Sequence, residues 1–175
     1  MKKIVIKLVV FVFCMTMVIG CSVLPVYATP FDLLDKDELC IKIHEMHLKR
    51  LEEQQKECNE LREKLVDYAC SFAGDLPYVY GGHSLETGTD CSGFVHLIYE
   101  TYGMSVPRTA SEFQAMGNIS ENELELGDIV AYNWGEHCGI YIGDGKIVHA
   151  ANPDSDTLIA DMYCMTPTAF VRIIQ

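Results

Sequence analysis

The feature that most limits how this chain can fold is a change of pattern at Gly127. Before it the sequence reads as helix, and after it as short strands. Residues 31 to about 64 are rich in Asp, Glu, Lys, Leu and Gln and hold neither Gly nor Pro, which predicts one long helix. A second helical stretch, residues 61–73, ends at Gly74 and is either continuous with the first or separate from it. A third starts at Cys91, carries Phe94, Val95, Leu97, Ile98 and Tyr102, and stops at Gly103. Strand patterns then occupy residues 128–132, 138–142, 146–150 and 170–174. Helices first and strands after predict an α+β domain with an antiparallel sheet.

Within the strands, Gly143-Asp144-Gly145 is a hairpin signal. A three-residue loop pairs Ile142 with Lys146 and sets His137 opposite Ala151, so that His149 becomes its diagonal neighbour on the same face. A two-residue loop shifts the pairing by one and sends the two histidines to opposite faces. Register therefore decides whether His137 and His149 act together.

Cys91 lies in Asp90-Cys91-Ser92-Gly93-Phe94, at the mouth of the third helix. Unsatisfied N–H groups and the macrodipole favour a thiolate there and can hold an oxyanion. Ser92 and Gly93 leave room for a substrate at the first turn. With Cys91 as nucleophile, His137 is the expected base, and His149 the group that fixes its tautomer. The other histidines carry less. His44 and His47 are expected on a solvated helix face, and His83 on an exposed loop. Trp134 either walls a cleft or covers a sheet edge.

Five blocks extend this pattern: Tyr78-Val79-Tyr80-Gly81-Gly82, Asp90-Cys91-Ser92-Gly93-Phe94-Val95, Val106-Pro107-Arg108-Thr109, Leu126-Gly127-Asp128-Ile129-Val130 and His137-Cys138-Gly139-Ile140-Tyr141-Ile142-Gly143. Their order resembles that of the NlpC family, papain-like cysteine peptidases of the bacterial cell wall, from about residue 61 to the C-terminus. The resemblance implies a papain-like α+β fold, with the nucleophile at a helix N-terminus packed on the sheet. It implies Cys91 as nucleophile, His137 as base and His149 as orienting residue. Tyr78 falls where the family places an oxyanion-assisting tyrosine, and Asp90 and Ser92, which flank the nucleophile, are expected with it among the oxyanion and substrate-binding residues. Arg108 meets a substrate carboxylate or holds its loop by hydrogen bonds, the second being favoured. Two positions depart from the family: Cys138 replaces a branched aliphatic residue, and the loop over residues 82–90 is long.

The implied activity is hydrolysis of peptidoglycan stem peptides through a thioester, most often between D-glutamate and the diamino acid, with no metal or cofactor. The alternatives are an amidase of the related CHAP type and a non-catalytic adaptor that binds wall peptides.

The N-terminus fits such a destination. Lys2, Lys3 and Lys7 precede an apolar run too short for a stable span, and Val26-Tyr27-Ala28 offers a cleavage site. Val18-Ile19-Gly20-Cys21 resembles a lipoprotein box, which would put a lipid on Cys21. The reading is a signal over residues 1–28, or one ending before Cys21, then a helical extension over 29–60 and the peptidase domain over 61–175. Past residue 28 the chain keeps 10 of its 13 basic residues and all 25 acidic ones, a formal charge near −15. That argues against nucleic acid or an anionic membrane surface as partner.

Leu34, Ile41 and Leu48 recur every seven residues, as do Leu51, Cys58 and Leu65, but Arg62 interrupts the pattern. A helix on its own domain, or a short stalk, is expected rather than a long coiled coil, and the protein is expected to be a monomer. Cys70, Cys138 and Cys164 read as small buried apolar residues, while the pairing of Cys40 with Cys58 is open. No Cys-x-x-Cys occurs, which argues against a zinc site.

Overall fold

The computed structural model describes residues 36–175. The signal reading, the lipoprotein box at Cys21, and Leu34 lie outside the described residues. The chain divides into two compact units at Gln54/Gln55. A single helix, α1 (Lys36–Cys70), contributes to both, so the two helical stretches of the sequence are one element. In the first unit, residues 41–54 of α1 are exposed on every side, including Ile41, Ile43, Met46, Leu48 and Leu51.

In the second unit, α1 turns Leu65 and Ala69 into the core, four residues apart on one face. A short hairpin follows, β1 (His83–Ser84) with β2 (Gly88–Thr89), where the sequence suggested only a loop. Helix α2 (Cys91–Thr101) comes next, then α3 (Ala110–Met116), which opens with a capping box of Thr109 and Glu112. Gly103, at φ 74°, sits just past the end of α2 and makes the left-handed step that stops it.

The main sheet is antiparallel, with order β6-β5-β4-β3-β7. Its strands are β3 (Ile129–Tyr132), β4 (His137–Gly143), β5 (Lys146–Asn152), β6 (Asp156–Asp161) and β7 (Pro167–Val171). The sequence pattern missed β6 and placed β7 three residues late. Strand alternation splits the apolar side chains between two faces. Ile129, Ala131, Cys138, Ile140, Val148 and Ala150 join Phe94, Val95 and Ile98 of α2 in the larger core. Val130, Tyr132, Ile147 and Met162 form a smaller core.

The β4–β5 turn differs from expectation in its route and not in its result. Gly143 pairs with Lys146, so the loop has two residues, Asp144 at φ 50° and Gly145 at φ 68°, the signs a type I′ turn requires. A bulge between Tyr141 and Gly143 absorbs Ile142 and restores the pairing of Ile140 with Val148 and Tyr141 with Ile147. The register beyond the bulge is the one that brings the histidines together.

Candidate active site

Cys91 is the first residue of α2 and is buried. Asp90 caps the helix by accepting from the Gly93 N–H at 2.7 Å. The same carboxylate accepts from Gly81 N–H at 3.0 Å and from Arg108 at 2.8 and 3.1 Å. Burial would raise the pKa of Asp90, but the Arg108 bonds, with the Gly93 and Gly81 amides, hold it below its ordinary value. Arg108 also donates to Ser92 Oγ at 3.1 Å and to Gly82 O at 2.8 Å. Its guanidinium thus ties Asp90, Ser92 and the Gly82 carbonyl together. A Cβ on Gly93 would stand 2.5 Å from Thr89 Oγ1 and 2.8 Å from both Arg108 Nη2 and Gly82 O. The space beside Gly93 is therefore filled by the protein, a different reason for glycine than the substrate approach inferred from sequence.

His137 opens β4, and its Nε2 lies 2.7 Å from His149 Nδ1 on β5. The rings meet edge to face at 4.9 Å. A Cβ on Gly139 would come within 3.1 Å of the His149 Cβ, so glycine beside the pair gives the second histidine its room. Burial, and after it the charge of His137, lower the pKa of His149 to about 4. His149 is therefore neutral at ordinary pH and can accept a hydrogen bond from His137 Nε2–H, which leaves His137 Nδ1 as the nitrogen available to Cys91. His149 Nε2 is buried and has no hydrogen-bond partner.

The Cys91 thiol is held at about 4, against an ordinary 9.0. The largest cause is the hydrogen-bonding Cys138 side chain. Burial opposes it, and the His137 ring, its charge and the Cys138 backbone amide add to the lowering. Cys138 is fully buried, its own thiol pushed well up by that burial and by Cys91, so it stays protonated and donates. Sequence reasoning placed Cys138 in the core, which is correct, but missed this role. The available signal was its place directly after His137, which brings ring, amide and thiol from two consecutive residues to one sulfur.

Tyr78 is half-buried, and its hydroxyl pKa is raised by burial and then by the charge of Cys91. An isolated bridge to Thr89 and a bond from Tyr78 N to Asp156 Oδ1 at 3.0 Å anchor its backbone. The long loop before Asp90 is taken up by the β1–β2 hairpin. Trp134 is 82% exposed, at φ 61° in the β3–β4 turn, and so covers no sheet edge. His44, His47 and His83 are exposed. Of the cysteines read as buried, Cys138 is, Cys70 is half-buried and Cys164 is exposed; Cys164 lies in a short 3₁₀ turn after the edge strand β6. The Cys58 thiol donates to Gln175 O at 3.3 Å. A cleft lined by Arg62, Glu125, Leu126 and Tyr141 includes none of Cys91, His137 and His149.

This arrangement has relatives. Over 108 residues the chain is 36% identical to the murein DD-endopeptidase MepS/murein LD-carboxypeptidase of Escherichia coli K12, covering 59% of this chain and 56% of that enzyme. It is 37% identical over 97 residues to the gamma-DL-glutamyl hydrolase of Bacillus subtilis 168, covering 54% and 24%. The chain thus spans about half, or less, of the length of these curated relatives. The structure of an NlpC/P60 family protein from Bacillus cereus ATCC 10987 superposes with a TM-score of 0.60 at 27% identity, covering 65% of this chain and 40% of that one. Residues 74–169 match the NlpC/P60 family as a whole, and the chain belongs to that family.

Proposed function

We propose that this chain is an exported cysteine endopeptidase that hydrolyses peptidoglycan stem peptides through a thioester. The observation that carries the reading is one line of contacts: a depressed Cys91 thiol at a helix N-terminus, His137 beside it, and His149 at 2.7 Å behind His137. A fold merely adapted to binding has no need of a thiolate so placed.

The proposed reaction runs on these groups alone. The Cys91 thiolate attacks the scissile carbonyl carbon, and the C–S bond forms as the oxygen gains charge. In this reading the N-terminal amides of α2 and the Tyr78 hydroxyl stabilise that oxyanion. Protonated His137 gives its Nδ1 proton to the leaving amine as the C–N bond breaks. Water, deprotonated by His137, then attacks the thioester, releasing the acid and the Cys91 thiolate. His149 keeps the His137 ring in register throughout. Asp90, Ser92 and Arg108 act one step back, holding the start of α2.

The proposed bond joins D-glutamate to the diamino acid, supported by the likeness to a glutamyl hydrolase. The likeness to a DD-endopeptidase favours a D,D-peptide bond as the second reading. Extracytoplasmic action rests on the N-terminal signal, with Cys21 as an optional lipid anchor and a monomer as the working form. No helix among the described residues is long and apolar enough to cross a membrane.

The test is digestion of purified cell wall, with the released fragments weighed by mass spectrometry. Fragments ending at D-glutamate support the first reading, and D,D-cleavage products the second. Released intact stem peptides would indicate an amidase instead. Cys91→Ala should abolish release while the protein stays folded. Full digestion by that variant would overturn the nucleophile assignment.

A further inference from the structure

A second cluster of ligating side chains lies on α2, away from the cysteine and its histidines. His96 and Glu100 stand four residues apart, one helical turn, and so share a face. His83 of β1 reaches the same place, its ring 5.3 Å from that of His96. One ligand atom from each of His83, His96 and Glu100 lies within 4.8 Å of the other two.

The half-buried His96 supplies an independent observation. Its Nδ1 lies 2.8 Å from Val106 O and 3.3 Å from Pro107 O. Two carbonyls accept only, so Nδ1 carries the proton and Nε2 is left with a lone pair. A ring nitrogen bonded to a backbone carbonyl, with the opposite nitrogen free to ligate, is the usual outer support of a metal-binding histidine. His83 is held from below by the β1–β2 ladder, where it pairs with Thr89, and by Arg108 on the carbonyl of Gly82.

We propose that His83, His96 and Glu100 bind one zinc-class divalent ion, which pins the β1–β2 hairpin to α2. Two imidazoles and a carboxylate suit zinc and disfavour calcium and magnesium, which take oxygen ligands. Tetrahedral zinc holds nitrogen and oxygen donors about 3.3 Å apart. The exposed side chains of His83 and Glu100 need close by no more than about 1.5 Å to reach that spacing, and three protein ligands leave a fourth position for water. The ion would stiffen the segment between Tyr78 and Cys91. Sequence reasoning sought cysteine pairs and so passed over ligands drawn from a helix face and a hairpin.

The experiment is calorimetric titration of the metal-stripped full chain with Zn²⁺, with amide hydrogen exchange over residues 79–89. The expected result is one equivalent bound, with slower exchange in that segment. His83→Ala and Glu100→Gln, both at exposed positions that leave the fold unthreatened, should each weaken binding about tenfold or more. Cys91→Ser should bind as the parent does. Absence of binding, binding indifferent to both ligand variants, or binding lost with Cys91→Ser would overturn the site. Unchanged exchange on loading would overturn the clamp.

Discussion

Among the described residues two aspartates meet arginine, and solvent distinguishes them. Asp128 is fully buried and faces two guanidiniums, Arg62 at 3.3 Å and Arg172 at 2.7 Å. Arg62 is itself buried and also holds Leu126 O and Ile174 O, while both arginines reach Glu125. That cluster ties α1 to the start of β3 and to the C-terminal segment. Asp90 meets one arginine, Arg108, whose side chain is 32% exposed, and it keeps two backbone amides besides. The ion pairs are chemically alike, but removing a partner does different things. In the first cluster a stranded charge has no water to turn to. In the second, water and the amides remain, and what is lost is the placement of the Cys91 helix start.

The largest effect should therefore come from Asp128→Ala. It leaves Arg62 buried against Arg172 with only the part-exposed Glu125 carboxylate between them. Destabilisation of about 3–5 kcal/mol is expected from breaking a buried pair on one side. Denaturant unfolding reads it directly. A loss under about 1 kcal/mol would mean that Glu125 takes over and that the cluster is not the fold's anchor.

Arg108→Ala should be milder for the fold and harsher for the chemistry. Asp90 stays satisfied by Gly93 and Gly81, so about 1–2 kcal/mol of stability is expected to go. Turnover should fall about tenfold to a hundredfold, since small displacements at a reacting centre cost that much. Stability and turnover measured on one preparation decide the matter. If the variant unfolds as readily as Asp128→Ala, the two clusters are alike and the contrast fails.

The same contrast explains what was legible in the sequence. Asp90, Cys91 and Gly93 act within one helical turn, and His137 and His149 within one hairpin, so local spacing carried most of the site. The bulge at Ile142 was not legible, because period-2 alternation cannot say where an extra residue will be absorbed. Arg62 read as a break in a helical repeat, because its partners Asp128 and Ile174 lie 66 and 112 residues away. Strand β6 was hidden by its acids at Asp156 and Asp161 and by exposed Ile159, as suits an edge strand. The fold class survived these misses, since it rests on the order of elements and not on their ends.

The smallest effect concerns a neutral group and sharpens the comparison from the other side. Arginine fixes where Cys91 sits, whereas the Cys138 thiol is the largest influence on its proton. A Cys138→Val chain keeps the apolar volume, so stability should change by less than about 1.5 kcal/mol. It removes the S–H donor, and the Cys91 pKa should rise from about 4 toward the ordinary thiol value of 9.0. The parent's folded-state pKa lies below that of the unfolded chain. Its thiolate therefore persists down to about pH 4, and the stability it contributes is full above pH 9.0 and lost as pH falls through the folded value. His149 protonates near the same point and then ceases to accept from His137, so both changes fall on one acid limb. The rate of Cys91 alkylation against pH should show a midpoint near 4 in the parent and a higher one in Cys138→Val. Coincident midpoints would mean that His137 and the start of α2 suffice to hold the thiolate, leaving Cys138 a purely apolar filler.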